Sequence, residues 1–222
     1  MKKNNRINPW LLFFAGIIVG VFAFAVYNYI QENNINNIEP SQGDYQEPAN
    51  FNIGAHDHIW GNKEANIELV VFNDLSCSYS RQYIDILNQF MRDYSDKIKI
   101  VWRHFPLDQR NEQSLDAALA AECSADQDKF WEFINQIYSR QPELSPELYF
   151  EIAENLSLDK KQFETCYSSQ KYNGKVKAHY YEGISKQVIG TPTSFLNGRI
   201  LPGVIPYYDL AQLVNPLIGG DE

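Results

Sequence analysis

Val70-Val71-Phe72-Asn73-Asp74-Leu75-Ser76-Cys77-Ser78-Tyr79-Ser80 changes character in its middle. Residues 67–72 are apolar apart from Glu68, half of them β-branched, with little alternation, which reads as a strand buried on both faces in the middle of a sheet. Asn73 and Asp74 break the run, and a polar turn then delivers Cys77 to the start of a segment with helical periodicity. The unpaired N–H groups of a first helical turn and the positive end of the helix dipole stabilise a thiolate placed there and lower its pKa. Cys77 therefore reads either as a reactive thiol or as a small half-buried hydrophobe, the usual state of an isolated cysteine.

Downstream, Tyr79, Tyr83, Ile84, Leu87, Phe90, Met91 and Tyr94 form the apolar stripe of a helix of about 18 residues, with Arg81, Asp85, Gln89 and Arg92 between them. Residues 98–103 make a second strand, ended by His104-Phe105-Pro106, and His104 at a strand end reads as structural before acid or base. Upstream, residues 53–65 read as a short edge segment and a turn. His56 and His58 lack a third ligand at metal spacing, so no metal site is expected.

From residue 111 to residue 189 strand signals give way to helical ones. One helix runs through Leu115, Ala118, Leu119, Glu122 and Cys123, and a second through Phe130, Trp131, Phe133, Ile134, Ile137 and Tyr138. Ser145-Pro146 opens a third, Ser157-Leu158-Asp159 caps a fourth that carries Phe163 and Cys166, and a last extends from about Gln170 toward Val188. Strands return as Ser194-Phe195-Leu196, the two-residue turn Asn197-Gly198 and Arg199-Ile200-Leu201. Pro192, unable to donate within a ladder, is expected at the first position of its strand. Residues 206–217 form a closing helix. The order describes an α/β core with a helical insertion at about residues 111–189.

The charge is uneven. The chain has 222 residues and a net charge of -9, but Lys2, Lys3 and Arg6 have no acid among the first 30 residues, so residues 31–222 carry a net -12. An acidic body excludes a nucleic-acid partner, whose phosphates need Lys and Arg. Residues 7–30 contain no charge, and residues 10–30 are long enough, at about 1.5 Å per residue, to cross a hydrocarbon core of about 30 Å. Trp10 at one end and Tyr27 and Tyr29 at the other suit the two interfaces. With the basic residues before the span, residues 1–9 are expected in the cytoplasm and the body outside it. Cleavage after Ala23-Phe24-Ala25 is the alternative, and it too leaves the body extracytoplasmic. Residues 31–50 read as a flexible linker, followed by a domain at residues 51–222.

Four separated motifs occur in order: residues 72–81 around Cys77, Arg103-His104-Phe105-Pro106-Leu107, Ala121-Glu122-Cys123 with Lys129-Phe130-Trp131, and Gly190-Thr191-Pro192-Thr193-Ser194-Phe195-Leu196-Asn197-Gly198. Together they resemble the DsbA-like branch of the thioredoxin-fold oxidoreductases, over roughly residues 57–217. The resemblance implies a thioredoxin fold, a mixed sheet of four to five strands with an all-helical subdomain inserted. It also implies a cis Thr191-Pro192 peptide facing Cys77, able to pair with an extended substrate segment.

Two residues depart from the family pattern. The redox pair Cys-Pro-Tyr-Cys reads Cys77-Ser78-Tyr79-Ser80, which removes the resolving thiol. A buried acid often found six residues before the active cysteine is Val71 here. The site implied by the resemblance is Cys77 with Ser80, whose hydroxyl is expected to donate to the sulfur, and Ser78, Tyr79, Thr191 and Pro192 as substrate contacts. The resemblance also implies a structural disulfide between Cys123 and Cys166, the alternative being two independent buried thiols. No cofactor is expected. Two functions stay open: a membrane-anchored monothiol reductase or isomerase acting on protein disulfides, resolved by a substrate thiol, a low-molecular-weight thiol or a membrane redox partner; or a redox-inactive module that binds peptides or scaffolds a membrane assembly.

Overall fold

The computed structural model describes residue 24, residues 48–107 and residues 113–219. The chain divides into two units, residues 1–47 and residues 48–222, and the second carries the fold. The expected membrane segment, the expected cytoplasmic residues 1–9 and most of the linker lie outside the described residues. Among the described residues no helix is long and apolar enough to cross a membrane. The folded part begins slightly before residue 51, because Ala49 N–H already donates to Gly198 O at 2.9 Å.

Strands β1 (Ile59–Gly61), β2 (Ile67–Asn73), β3 (Ile98–His104), β4 (Thr193–Leu196) and β5 (Arg199–Pro202) form one mixed sheet in the order β1-β3-β2-β4-β5. Only β2 and β3 are parallel, with Ile67 opposite Ile98 and Asn73 opposite His104. Helix α1 (Ser78–Tyr94) joins them. Central β2 is buried on both faces, which explains its unbroken apolar run: Leu69 and Val71 pack among Tyr83, Leu87 and Phe90, while Val70 and Phe72 face Phe105, Val188 and Phe195. The Asn197-Gly198 turn has φ of 44° and 82°, the left-handed pair that the tightest hairpins require.

Helices α2 (Gln113–Ala125), α3 (Phe130–Ser139), α4 (Pro146–Asn155), α5 (Lys160–Ser168) and α6 (Asn173–Ser185) form the insertion, and α7 (Tyr207–Ile218) closes the chain. Ser145 caps α4 by accepting from Leu148 N–H, and Asp159 caps α5 by accepting from Gln162 N–H. Two expectations need correction. Tyr79 lies outside the core and is 64% exposed, because the buried stripe of α1 starts at Ser80 and continues through Tyr83, Ile84 and Leu87. Pro192 precedes β4 rather than opening it, and its carbonyl accepts Gly203 N–H at 2.8 Å.

Cys123 on α2 and Cys166 on α5 are joined as a disulfide, their Cα atoms 5.8 Å apart and 43 residues apart in sequence. Cross-linking a loop of that length restricts the unfolded chain by about 4 kcal/mol in the chain-entropy account. Replacing both cysteines with Ala should therefore lower the unfolding free energy by roughly that amount, read as a fall in the urea midpoint; an unchanged midpoint would show that the bond contributes nothing.

A buried ionic cluster ties the insertion to the sheet. Glu122 of α2 accepts from the Nε2 atoms of His58 and His104, both at 3.0 Å, and from Lys175 Nζ of α6 at 2.7 Å. Trp102 Nε1–H donates to His104 Nδ1 at 3.3 Å, which leaves the neutral His104 ring its proton on Nε2. Burial alone would raise the Glu122 carboxyl, but the hydrogen bonds from His104 and His58 outweigh it and hold the group well below the carboxylate range. Burial pushes the His104 ring below its ordinary value, and Glu122 offsets this only in part. His179 accepts from His104 N–H and is pushed down to about 2, by burial first and then by the charges of His104 and Arg103. Arg103, itself buried, pairs with Asp57 at 2.6 Å and Glu182 at 2.7 Å.

Candidate active site

The turn between β2 and α1 is built around a buried carboxylate. Asp74 Oδ1 accepts from Ser76 N–H at 2.8 Å and Ser76 Oγ at 2.9 Å, while Oδ2 accepts from Leu107 N–H at 3.0 Å and Ser114 Oγ at 2.9 Å. Both oxygens are thus used, and the turn is fastened to the segment after β3 and to α2. Cys77 N–H closes the turn on Asp74 O at 3.1 Å. Cys77 is then the N-cap of α1, in extended conformation with no side-chain capping bond, and the first turn holds no acid. Its sulfur sits at the end of the helix where the first-turn N–H groups have no helical partner and the dipole is positive.

The half-buried Cys77 thiol donates to Thr191 O at 3.3 Å, across 114 residues of sequence. The Thr191-Pro192 peptide is cis. The geometry thus brings Cys77 and Thr191 together, with Ser78 and Tyr79 exposed on one side of the sulfur and Ile189, 88% exposed, two residues before Thr191 on the other. Cys77 is the free thiol. Ser80 does not serve the sulfur as expected. The first turn of α1 points it into the core, wholly buried, and its Oγ accepts Asp74 N–H at 3.4 Å. Val71 is packed in the core and supplies no proton carrier.

Residues that sequence reasoning passed over complete the site from the insertion. Gln141, in a short 3₁₀ turn after α3 (Gln141–Glu143), donates from Nε2 to Leu75 O at 2.8 Å and to Cys77 O at 3.0 Å. Tyr138, near the end of α3, is buried, and its hydroxyl meets no hydrogen-bond geometry among the described residues. Burial pushes its phenol well above the ordinary range, and the charges of Asp74 and Cys77 push further, so it stays protonated. No local pattern announces either residue, since each acts across about 60 residues. Asp74 had a local signal, the Asp-x-Ser spacing of a side-chain-capped turn.

A family model described as thioredoxin matches residues 55–215. The chain belongs to the thioredoxin family. Among curated proteins, it is similar to a part of "Na(+)/H(+) antiporter NhaA 3" of Salinispora tropica, with 34% identity over 143 residues, 64% of this chain and 22% of that protein. It is also similar to "Na(+)/H(+) antiporter NhaA 1" of Mycobacterium sp. strain KMS, with 30% identity over 74% of this chain and 27% of that protein. The chain thus spans about a quarter of the length of the curated relatives it matches. Among solved structures, oxidised BdbD from Bacillus subtilis has a TM-score of 0.67 at 19% identity, covering 74% of this chain and 94% of that one. The thiol-disulfide exchange protein alpha-DsbA2 from Wolbachia pipientis has a TM-score of 0.67 at 23% identity, covering 73% of this chain and 88% of that one. At these identities the likeness establishes the thioredoxin fold with its helical insertion.

Proposed function

We propose that this thioredoxin-family chain is a monothiol thiol-disulfide oxidoreductase with Cys77 as its nucleophile, tethered to the membrane by residues 10–30 and working outside the cytoplasm. The observation that carries the reading is the free thiol of Cys77 at the N-cap of α1 against Thr191 O. Uncharged residues 10–30, preceded by basic ones, support the anchor, and the Cys123–Cys166 bond supports an oxidising compartment.

In this reading the Cys77 thiolate attacks one sulfur of a substrate disulfide. A bond forms from Cys77 to that sulfur, the substrate S–S bond breaks, and the displaced thiolate leaves and takes a proton from water. A second thiolate, from the substrate or a small thiol, then attacks the mixed disulfide and frees Cys77. If the second thiolate is a different cysteine of the substrate, the disulfide is isomerised; if it is external, the product is a mixed disulfide of substrate and external thiol, which a further external thiolate resolves, so that two external thiols are oxidised and the substrate disulfide is reduced. Ser78, Tyr79, Thr191 and Pro192 line the place where an extended substrate segment would lie.

The full-length chain incubated with a glutathione disulfide buffer should form one mixed disulfide, mapped to Cys77 by non-reducing mass spectrometry and absent from Cys77→Ala. A second reading, a peptide-binding module without redox activity, is favoured by the buried serine at position 80. Cys77 left unmodified in the buffer would decide for that module.

A further inference from the structure

Gln141 does more than fill space beside the cysteine turn. Its side-chain amide has two N–H bonds, and Nε2 reaches two carbonyls of the turn, Leu75 O at 2.8 Å and Cys77 O at 3.0 Å. Cys77 O is at once the acceptor of the first α1 bond, from Arg81 N–H at 3.0 Å. Gln141 therefore grips the peptide units on either side of Ser76-Cys77 and fixes the backbone from which the sulfur projects at the helix N-terminus. The grip is itself held. Arg140 N–H bonds Gln136 O and Ile137 O, Glu143 N–H bonds Arg140 O, and the Arg140 guanidinium pairs with Glu143 and Glu151, both at 2.6 Å.

We propose that Gln141 is a positioning residue for the Cys77 sulfur, through which the helical insertion sets the reactivity of a thiol carried by the sheet-and-helix core. The inference rests on the reading of Cys77 as the reacting thiol, but its readout does not require disulfide exchange. Without the amide, two carbonyl dipoles next to the sulfur lose the partial positive charge that neutralises them, and the turn is released. Both changes disfavour the thiolate, which is the reactive form. Tyr138, three residues earlier, packs in the same neighbourhood and adds no charge, since its phenol stays protonated.

The test uses the full-length chain, with Cys123 and Cys166 joined so that Cys77 is the thiol that reacts. Gln141→Met keeps the side-chain length and removes both donors; Gln141→Glu keeps the length, removes the donors and adds a negative charge. Iodoacetamide alkylation of Cys77 at pH 7 should slow by about tenfold in Gln141→Met and further in Gln141→Glu, with the difference from the parent narrowing as the pH is raised to 10. A purely structural role would alter the thermal melt and leave the pH 7 to pH 10 rate ratio untouched. Rates at pH 7 within twofold of the parent in both variants would overturn the proposal. If the ratio shifts but the parent chain forms no mixed disulfide with glutathione, the exchange reading fails while the positioning role stands.

Discussion

Ser80→Cys should turn a chain with one titratable thiol into one that closes an intramolecular disulfide and oxidises reduced peptides. Position 80 lies on the first turn of α1, three residues from Cys77, where helical neighbours share a face with Cβ atoms about 5–6 Å apart, roughly 1–2 Å beyond the Cβ separation of a disulfide, so closing the bond takes a small backbone shift at the N-cap. A thiolate introduced there would attack the Cys77 mixed disulfide, release the substrate sulfur and leave the two positions bonded. Because the attack is intramolecular, it outruns resolution by external thiols by orders of magnitude. The substitution has a cost. Position 80 is wholly buried, sulfur is larger than oxygen, and the hydrogen bond to Asp74 N–H is weakened, which together remove about 1–3 kcal/mol of stability. Thiol titration after treatment with glutathione disulfide checks the outcome, with no free thiol expected. Two persistent thiols would show that the first turn does not present position 80 to the sulfur.

Acid should destabilise the domain before its carboxylates are protonated. His104 and His179 are neutral when folded because burial disfavours their charged forms, but in the unfolded chain each takes a proton near pH 6.5. Their folded values are depressed, so their contribution is complete above about pH 6.5 and drains away as the pH falls toward the folded-state values. For His179, whose folded value is about 2, the deficit at pH 5 is about 2 kcal/mol relative to pH 7.5, and His104 adds to it in the same direction. Glu122 adds to the loss only below its ordinary range near pH 4.5, since its folded value is lowered. Urea unfolding at pH 7.5 and pH 5 reads this directly, as a lower midpoint with an unchanged slope. Equal stabilities at the two pH values would mean that the cluster accommodates both protons.

What the sequence disclosed was local. The buried strand is visible because every residue of 69–72 is apolar, the hairpin because Asn197-Gly198 can adopt two left-handed conformations, and the starts of α4 and α5 because Ser145 and Asp159 are capping residues. The resemblance across four motifs supplied the insertion and the meeting of Cys77 with the Thr191-Pro192 turn. What stayed hidden was side-chain traffic between distant segments. Gln141 reaches the cysteine turn across more than 60 residues, Glu122 gathers His58, His104 and Lys175 from three segments, and the hydroxyl of Ser80 serves the backbone instead of the sulfur. Tyr79 misled because it continues an apolar spacing at a position where α1 has not yet met the sheet.

The sheet also sets an order of events in time. Strand β2 is flanked by β3, made soon after it, and by β4, whose Thr193 opposite Phe72 is synthesised about 90 residues later than the end of β3. At ~5–20 residues per second, one side of the central strand waits roughly 5–20 s for its neighbour. Cys77 is made before that interval and Cys123 and Cys166 within it, so the first two to coexist are not the two that end up joined. The nascent chain therefore runs a race between pairing the wrong thiols and packing α2 against α5. A product with Cys77 still free is what packing α2 against α5 first would yield.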